Sequence, residues 1–108
     1  MAEELRKVCM VESGVSLENL DLVMKGQFPD DRALKCYFKC QFETYHLFTE
    51  DDTVDSSTVL SFFPSDLQDR YKHIFENCFD IKGADRCETA FMTHLCYHNA
   101  DPELYFIM

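Results

Sequence analysis

Glycine and proline are scarce, three of each in 108 residues, which leaves little room for the turns of a hairpin-built β fold. Basic residues are also few: ten Lys and Arg stand against twenty Asp and Glu, for a net charge of −10. The ten are scattered and form no stripe, so neither nucleic acid nor an anionic membrane surface is an expected partner. No apolar run approaches the ~20 residues that a membrane helix needs. The start, Met1-Ala2-Glu3-Glu4, is acidic and lacks the apolar stretch of a secretory leader, so the chain reads as a mature sequence carrying an added start Met. There is no C-x2-C pair of the zinc-site kind. Two matching C-x3-C or C-x9-C pairs of a twin-cysteine helical hairpin are missing as well. A Gly-rich calcium loop and a His-Asp pair beside a cysteine, as in secreted phospholipases, are absent, and nothing pairs a nucleophile with a positioned base. The chain is read as not an enzyme, without cofactor or metal.

What is present is helical periodicity and six cysteines. The length suits one domain, 1–108. The first helix precedes Glu12 and holds Leu5, Val8 and Cys9. Ser16 caps a second, with Leu17, Leu20 and Met24 as its stripe and Gly26 as its stop. A third opens at Pro29-Asp30-Asp31 and runs to about Tyr45, followed by an acidic loop at Thr49 to Asp52. Asp55 or Ser56 caps a short fourth helix ending at Phe63. Pro64 then sits as the first residue of a fifth, whose stripe is Leu67, Tyr71, Ile74, Phe75 and Cys78. After Gly83, a sixth runs from Asp85 to about Asn99 and cannot continue through Pro102. Residues 101–108 form a tail ending in Leu104-Tyr105-Phe106-Ile107-Met108, five apolar residues that are safer folded against a pocket than exposed.

The cysteines run Cys9-x26-Cys36-x3-Cys40-x37-Cys78-x8-Cys87-x8-Cys96. An even number in so short a chain indicates a disulfide framework and an oxidising compartment. Cys36 and Cys40 share one helix face and should each reach a different element. Cys87 and Cys96 lie on opposite faces of theirs. Six cysteines allow fifteen connectivities, and this geometry does not select among them. His94 and His98 flank Cys96 at helical spacing, a conceivable metal face. His73 falls on the solvated side of its helix. Ser16, Ser56, Ser57 and Ser65 sit where helix starts need caps. Ten Phe and five Tyr are more than a small core demands and suit wide apolar walls.

These spacings resemble the six-cysteine pattern of the insect odorant- and pheromone-binding proteins. The likeness is strongest to the mosquito-type branch, through Leu34-Lys35-Cys36-Tyr37-x-x-Cys40, Cys87-Glu88-x-Ala90-Phe91-x-x-His94-x-Cys96 and Ala100-Asp101-Pro102-x-x-Tyr105-Phe106. The resemblance implies an all-α fold of six helices around an apolar cavity, with bridges Cys9–Cys40, Cys36–Cys87 and Cys78–Cys96. It implies reversible transport of small hydrophobic ligands, bound by Val59, Phe63, Leu67, Tyr71, Ile74, His94, Tyr97, Tyr105 and Phe106. It also implies a C-terminal lid, with the Met108 carboxylate held by Arg6 and Tyr37. Acid release, with His94 gaining charge near pH 6.5, secretion into sensillum lymph, an olfactory receptor as recipient and a homodimer belong to the same set of expectations. The chain departs from the branch in three ways. Tyr71 and Phe75 replace smaller residues, Tyr97 stands where Trp is usual, and the N-terminal extension is missing. The competing reading is a secreted, disulfide-rich interaction or salivary protein without a cavity.

Overall fold

The computed structural model describes residues 2–105, and within them six helices follow one another: α1 Ala2–Ser13, α2 Leu17–Met24, α3 Arg32–Thr44, α4 Ser56–Ser61, α5 Ser65–Asn77 and α6 Arg86–Ala100. Among these residues there is no strand, only one bridge between Phe48 and Val54 across the acidic loop. Four starts are set by short side chains that accept otherwise unpaired backbone N–H groups. Ser16 accepts from Asn19, Asp31 from Ala33 and Leu34, Asp55 from Thr58, and Asp85 from Glu88. Pro64 lies one residue outside α5 rather than inside it. Its carbonyl accepts from Leu67 and Gln68 at 2.9 and 3.2 Å. Gly26 ends the α2 segment at φ +83°, where a Cβ would stand 2.9 Å from His98 Nε2.

Helix α3 is the centre of the packing, with its most extensive contacts to α6 and then to α1. Leu34, Phe38 and Phe42 recur at i, i+4 and i+8 and are all buried, so one face of α3 forms the core's spine. The cysteines pair as Cys9–Cys40, Cys36–Cys87 and Cys78–Cys96. The first two tie α1 and α6 to α3 one turn apart along its length, and the third ties the end of α5 to α6. At the shared start of α3 and α6, Arg32 grips Asp85 with two hydrogen bonds (3.2 and 2.7 Å) and Lys35 reaches Glu88 at 3.0 Å. Arg86 holds the acidic loop through Asp52 at 2.7 Å and reaches Glu43 on α3 at 2.9 Å.

The stripe expected on α2 is corrected. Leu20 and Val23 face the core, whereas Leu17 and Met24 are 66% and 69% exposed. No helix among the described residues is long and apolar enough to cross a membrane.

Candidate functional site

Helices α4 and α5 and the turn after α6 meet α3 and α6 around a cavity of about 40 Å³. That is room for on the order of three water molecules. Its lining is almost wholly apolar: Phe42 from α3, Val59 from α4, Tyr71, Ile74 and Phe75 from α5, His94 and Tyr97 from α6, and Leu104 and Tyr105 from the C-terminal turn. A molecule of ten or more heavy atoms would have to displace part of this wall.

Two tyrosines are fixed by buried hydrogen bonds. Ser56 Oγ donates to the Cys78 carbonyl at 3.1 Å, which leaves it to accept from the Tyr97 hydroxyl at 3.0 Å. The Tyr97 ring edge meets Phe75 at 4.9 Å. Across the cavity the His94 ring stacks on Phe38, with centroids 3.9 Å apart and planes 17° apart. Its Nδ1 lies 2.9 Å from the Tyr105 hydroxyl, and its Nε2 is buried without a hydrogen-bond partner. Burial pushes the His94 pKa down to about 3. Burial also raises Tyr97 and Tyr105 well above the ordinary phenol value. The closed fold therefore holds His94 neutral at pH 6, and the expected charging near 6.5 is corrected to a property of the exposed ring.

Of the residues expected at the site, Val59, Tyr71, Ile74, His94, Tyr97 and Tyr105 come together on the wall. Phe63 is in the next layer, stacked on Tyr71 with ring centroids 4.4 Å apart. Leu67 stands away from the cavity on the first turn of α5, 36% exposed. Phe106 and Met108 lie outside the described residues, so the lid carboxylate is not located. Arg6 and Tyr37 do meet. The buried Tyr37 hydroxyl accepts from Gln41 Nε2 at 3.1 Å. Burial raises its pKa, while the charge of Arg6 and a hydrogen bond with it pull the other way. Both residues line a groove with Leu17, Leu20, Asp21 and Met24, so the exposed apolar pair of α2 borders the expected lock.

Three wall residues, Phe42, Phe75 and Leu104, were not among those expected. Phe42 was detectable as the third member of the Leu34-Phe38-Phe42 stripe, and Phe75 as the neighbour of Ile74. Leu104 carried no periodic signal, because it follows Pro102 in a non-helical turn. The metal face is not assembled. Cys96 is bonded to Cys78, and among the described residues no three His, Cys, Asp or Glu side chains converge. His73 faces outward to Asp101 at 3.3 Å.

The six-helix frame agrees with the comparisons to known proteins. The model of the PBP/GOBP family matches residues 1–100, and the chain belongs to that family. It is similar to the solved structure of odorant binding protein 7 from Anopheles gambiae, which has four disulfide bridges and is in complex with an azo compound. The two are 33% identical with a TM-score of 0.86, over 96% of this chain and 85% of that one. The fatty acid binding protein OBP56a from the oral disk of the blowfly Phormia regina is 28% identical, with a TM-score of 0.69 over 94% and 90% of the two chains. General odorant-binding protein 69a of Drosophila melanogaster is 27% identical over 95 residues, which are 87% of this chain but 64% of the length of that relative.

Proposed function

We propose that the chain is a reversible carrier of small hydrophobic molecules, odorant, pheromone or lipid-like, held in the cavity between α3, α4, α5, α6 and the C-terminal turn. The observation that carries this reading is an apolar-lined cavity on a frame cross-linked by three disulfides. The azo compound and the fatty acid named with two relatives support the same ligand class. Val59, Tyr71, Ile74, His94, Tyr97 and Tyr105 contact the ligand together with Phe42, Phe75 and Leu104. Phe63 backs Tyr71, and Phe106 extends the wall from the tail. Affinity comes from buried apolar area at roughly 25 cal/mol per Å². The carrier reading calls for no chemical step. The chain works outside the cell as one domain, in keeping with its disulfides. Its tail closes on Arg6 and Tyr37 through the Met108 carboxylate. An olfactory receptor is the recipient of the ligand, and a homodimer is a further assembly.

Titration with the fluorescent apolar probe N-phenyl-1-naphthylamine tests the reading. Saturable one-site uptake, reversed by medium-chain apolar compounds, is the expected result. A protein that leaves the probe dark at neutral pH is not a carrier, and the solid interaction module then takes its place.

A further inference from the structure

Few polar side chains line the cavity, and among them His94 keeps a second ring nitrogen, Nε2, that is buried and unpartnered. Tyr97 is committed to Ser56, and Tyr105 to His94 Nδ1. In the neutral ring one nitrogen carries the proton and the other accepts. A phenol is the better donor and an imidazole nitrogen the better acceptor, so the 2.9 Å contact runs from the Tyr105 O–H to Nδ1. The reverse direction would leave the Tyr105 proton buried with no acceptor. The proton of His94 is then on Nε2, and this N–H has no partner in the protein. A buried donor left unmade is costly, and native proteins rarely keep one without a use. Water is a poor partner here, because an ordered water needs two to four polar neighbours and this wall is nearly all apolar.

We infer that His94 Nε2–H is the polar anchor of the cavity, and that the preferred ligands are apolar molecules carrying a carbonyl acceptor, as in ketones, aldehydes and esters. The inference rests on the carrier reading and sharpens it. Tyr105 is a positioning residue: its hydroxyl fixes the tautomer that donates. The stack on Phe38 holds the ring plane, and because Nε2 has almost no accessible surface in the closed fold, the ligand reaches it as the wall yields. A pure hydrocarbon fills the same volume and leaves the donor unpaired. A site of this type discriminates through the penalty on the ligand that lacks the acceptor.

The test compares hexanophenone with 1-phenylhexane, two molecules of nearly equal shape, by displacement of N-phenyl-1-naphthylamine from the parent and from His94→Phe. The ketone loses more hydration on entry, so the informative quantity is the ratio of the two affinities in the parent divided by that ratio in the variant. We expect this quotient to favour the ketone by roughly tenfold. A quotient near one overturns the anchor. Should neither compound displace the probe, or the parent not take up the probe, the carrier reading fails as well, which keeps the two failures apart. Because His94→Phe could disturb the core, the parent supplies a second readout. In ¹⁵N-labelled protein, His94 should show a protonated Nε2 and a bare Nδ1. The Nε2 proton should move downfield with hexanophenone and stay in place with 1-phenylhexane. A protonated Nδ1 overturns the assignment regardless of the variant.

Discussion

Burial of His94 makes the stability of this protein depend on pH below neutrality. In the unfolded chain His94 titrates near ~6.5, and in the folded chain burial lowers it to about 3. Between those values the unfolded state binds a proton that the native state refuses, so stability rises with pH and falls as the solution is acidified. The contribution is fully present above ~6.5 and is lost progressively below it. Integrated from pH 7 to 4.5, one such group costs about 2.5 kcal/mol, a large share of a typical domain's stability. Lys35 and Arg32 hold Asp30 and Asp85 below the usual carboxylate range. Both carboxylates act in the same direction but only at lower pH, so the window above pH 4.5 belongs to histidine. Urea unfolding followed by far-UV circular dichroism at steps across the window measures the slope. His94→Phe keeps an aromatic ring on Phe38 and adds a constant penalty for the Tyr105 hydroxyl it strands, about 1–3 kcal/mol. That offset leaves the slope interpretable. The parent should lose about 2.5 kcal/mol and the variant far less. Equal losses in both proteins would refute a buried neutral His94.

Other outcomes follow from the wall and the frame. Ile74→Ala should weaken apolar-probe binding roughly fivefold, through about 40–50 Å² of lost contact at ~25 cal/mol per Å², while circular dichroism stays helical; parent-like binding removes Ile74 from the wall. Phe63→Ala, one layer out, should weaken binding less by the same titration. Replacing Cys36 and Cys87 with Ser opens a loop of 51 residues and should cost roughly 4 kcal/mol, against roughly 3 kcal/mol for Cys78 and Cys96 with their loop of 18; denaturant melts that give the opposite order contradict the chain-entropy account. Deleting residues 104–108 removes Leu104 and Tyr105 from the cavity and should cut probe affinity about tenfold, since a buried aromatic alone is worth ~1.5–3 kcal/mol. A truncated protein with parental affinity and parental pH response eliminates the tail as a wall.

Much of the frame was legible because its signals are local. Ser16, Asp31, Asp55 and Asp85 act as caps within three residues of themselves, and Gly26 and Pro102 stop what precedes them. The cysteine spacings carried the pairing through resemblance, not through geometry. The stripe of α2 was misread because Leu17, Leu20, Leu22, Val23 and Met24 crowd eight residues. Helical spacing then fits two overlapping faces, and only burial in the tertiary core selects Leu20 and Val23. Leu67 continued the α5 stripe on paper, but the cavity ends a turn before it reaches that residue. Leu104 and the protonation of His94 depend on long-range arrangement. Periodicity says nothing about a turn beyond a proline, and a histidine's burial is decided by Phe38 and Tyr105, far from it in sequence.

Intermolecular NOEs between bound hexanophenone and methyl-labelled protein report whether the ligand sits inside the helices. Contacts should run from the ligand to the Val59, Ile74 and Leu104 methyls, with none to Val8, Val11 or Leu17 on the outer faces of α1 and α2. Contacts confined to those outer methyls, with Ile74 silent, would contradict it.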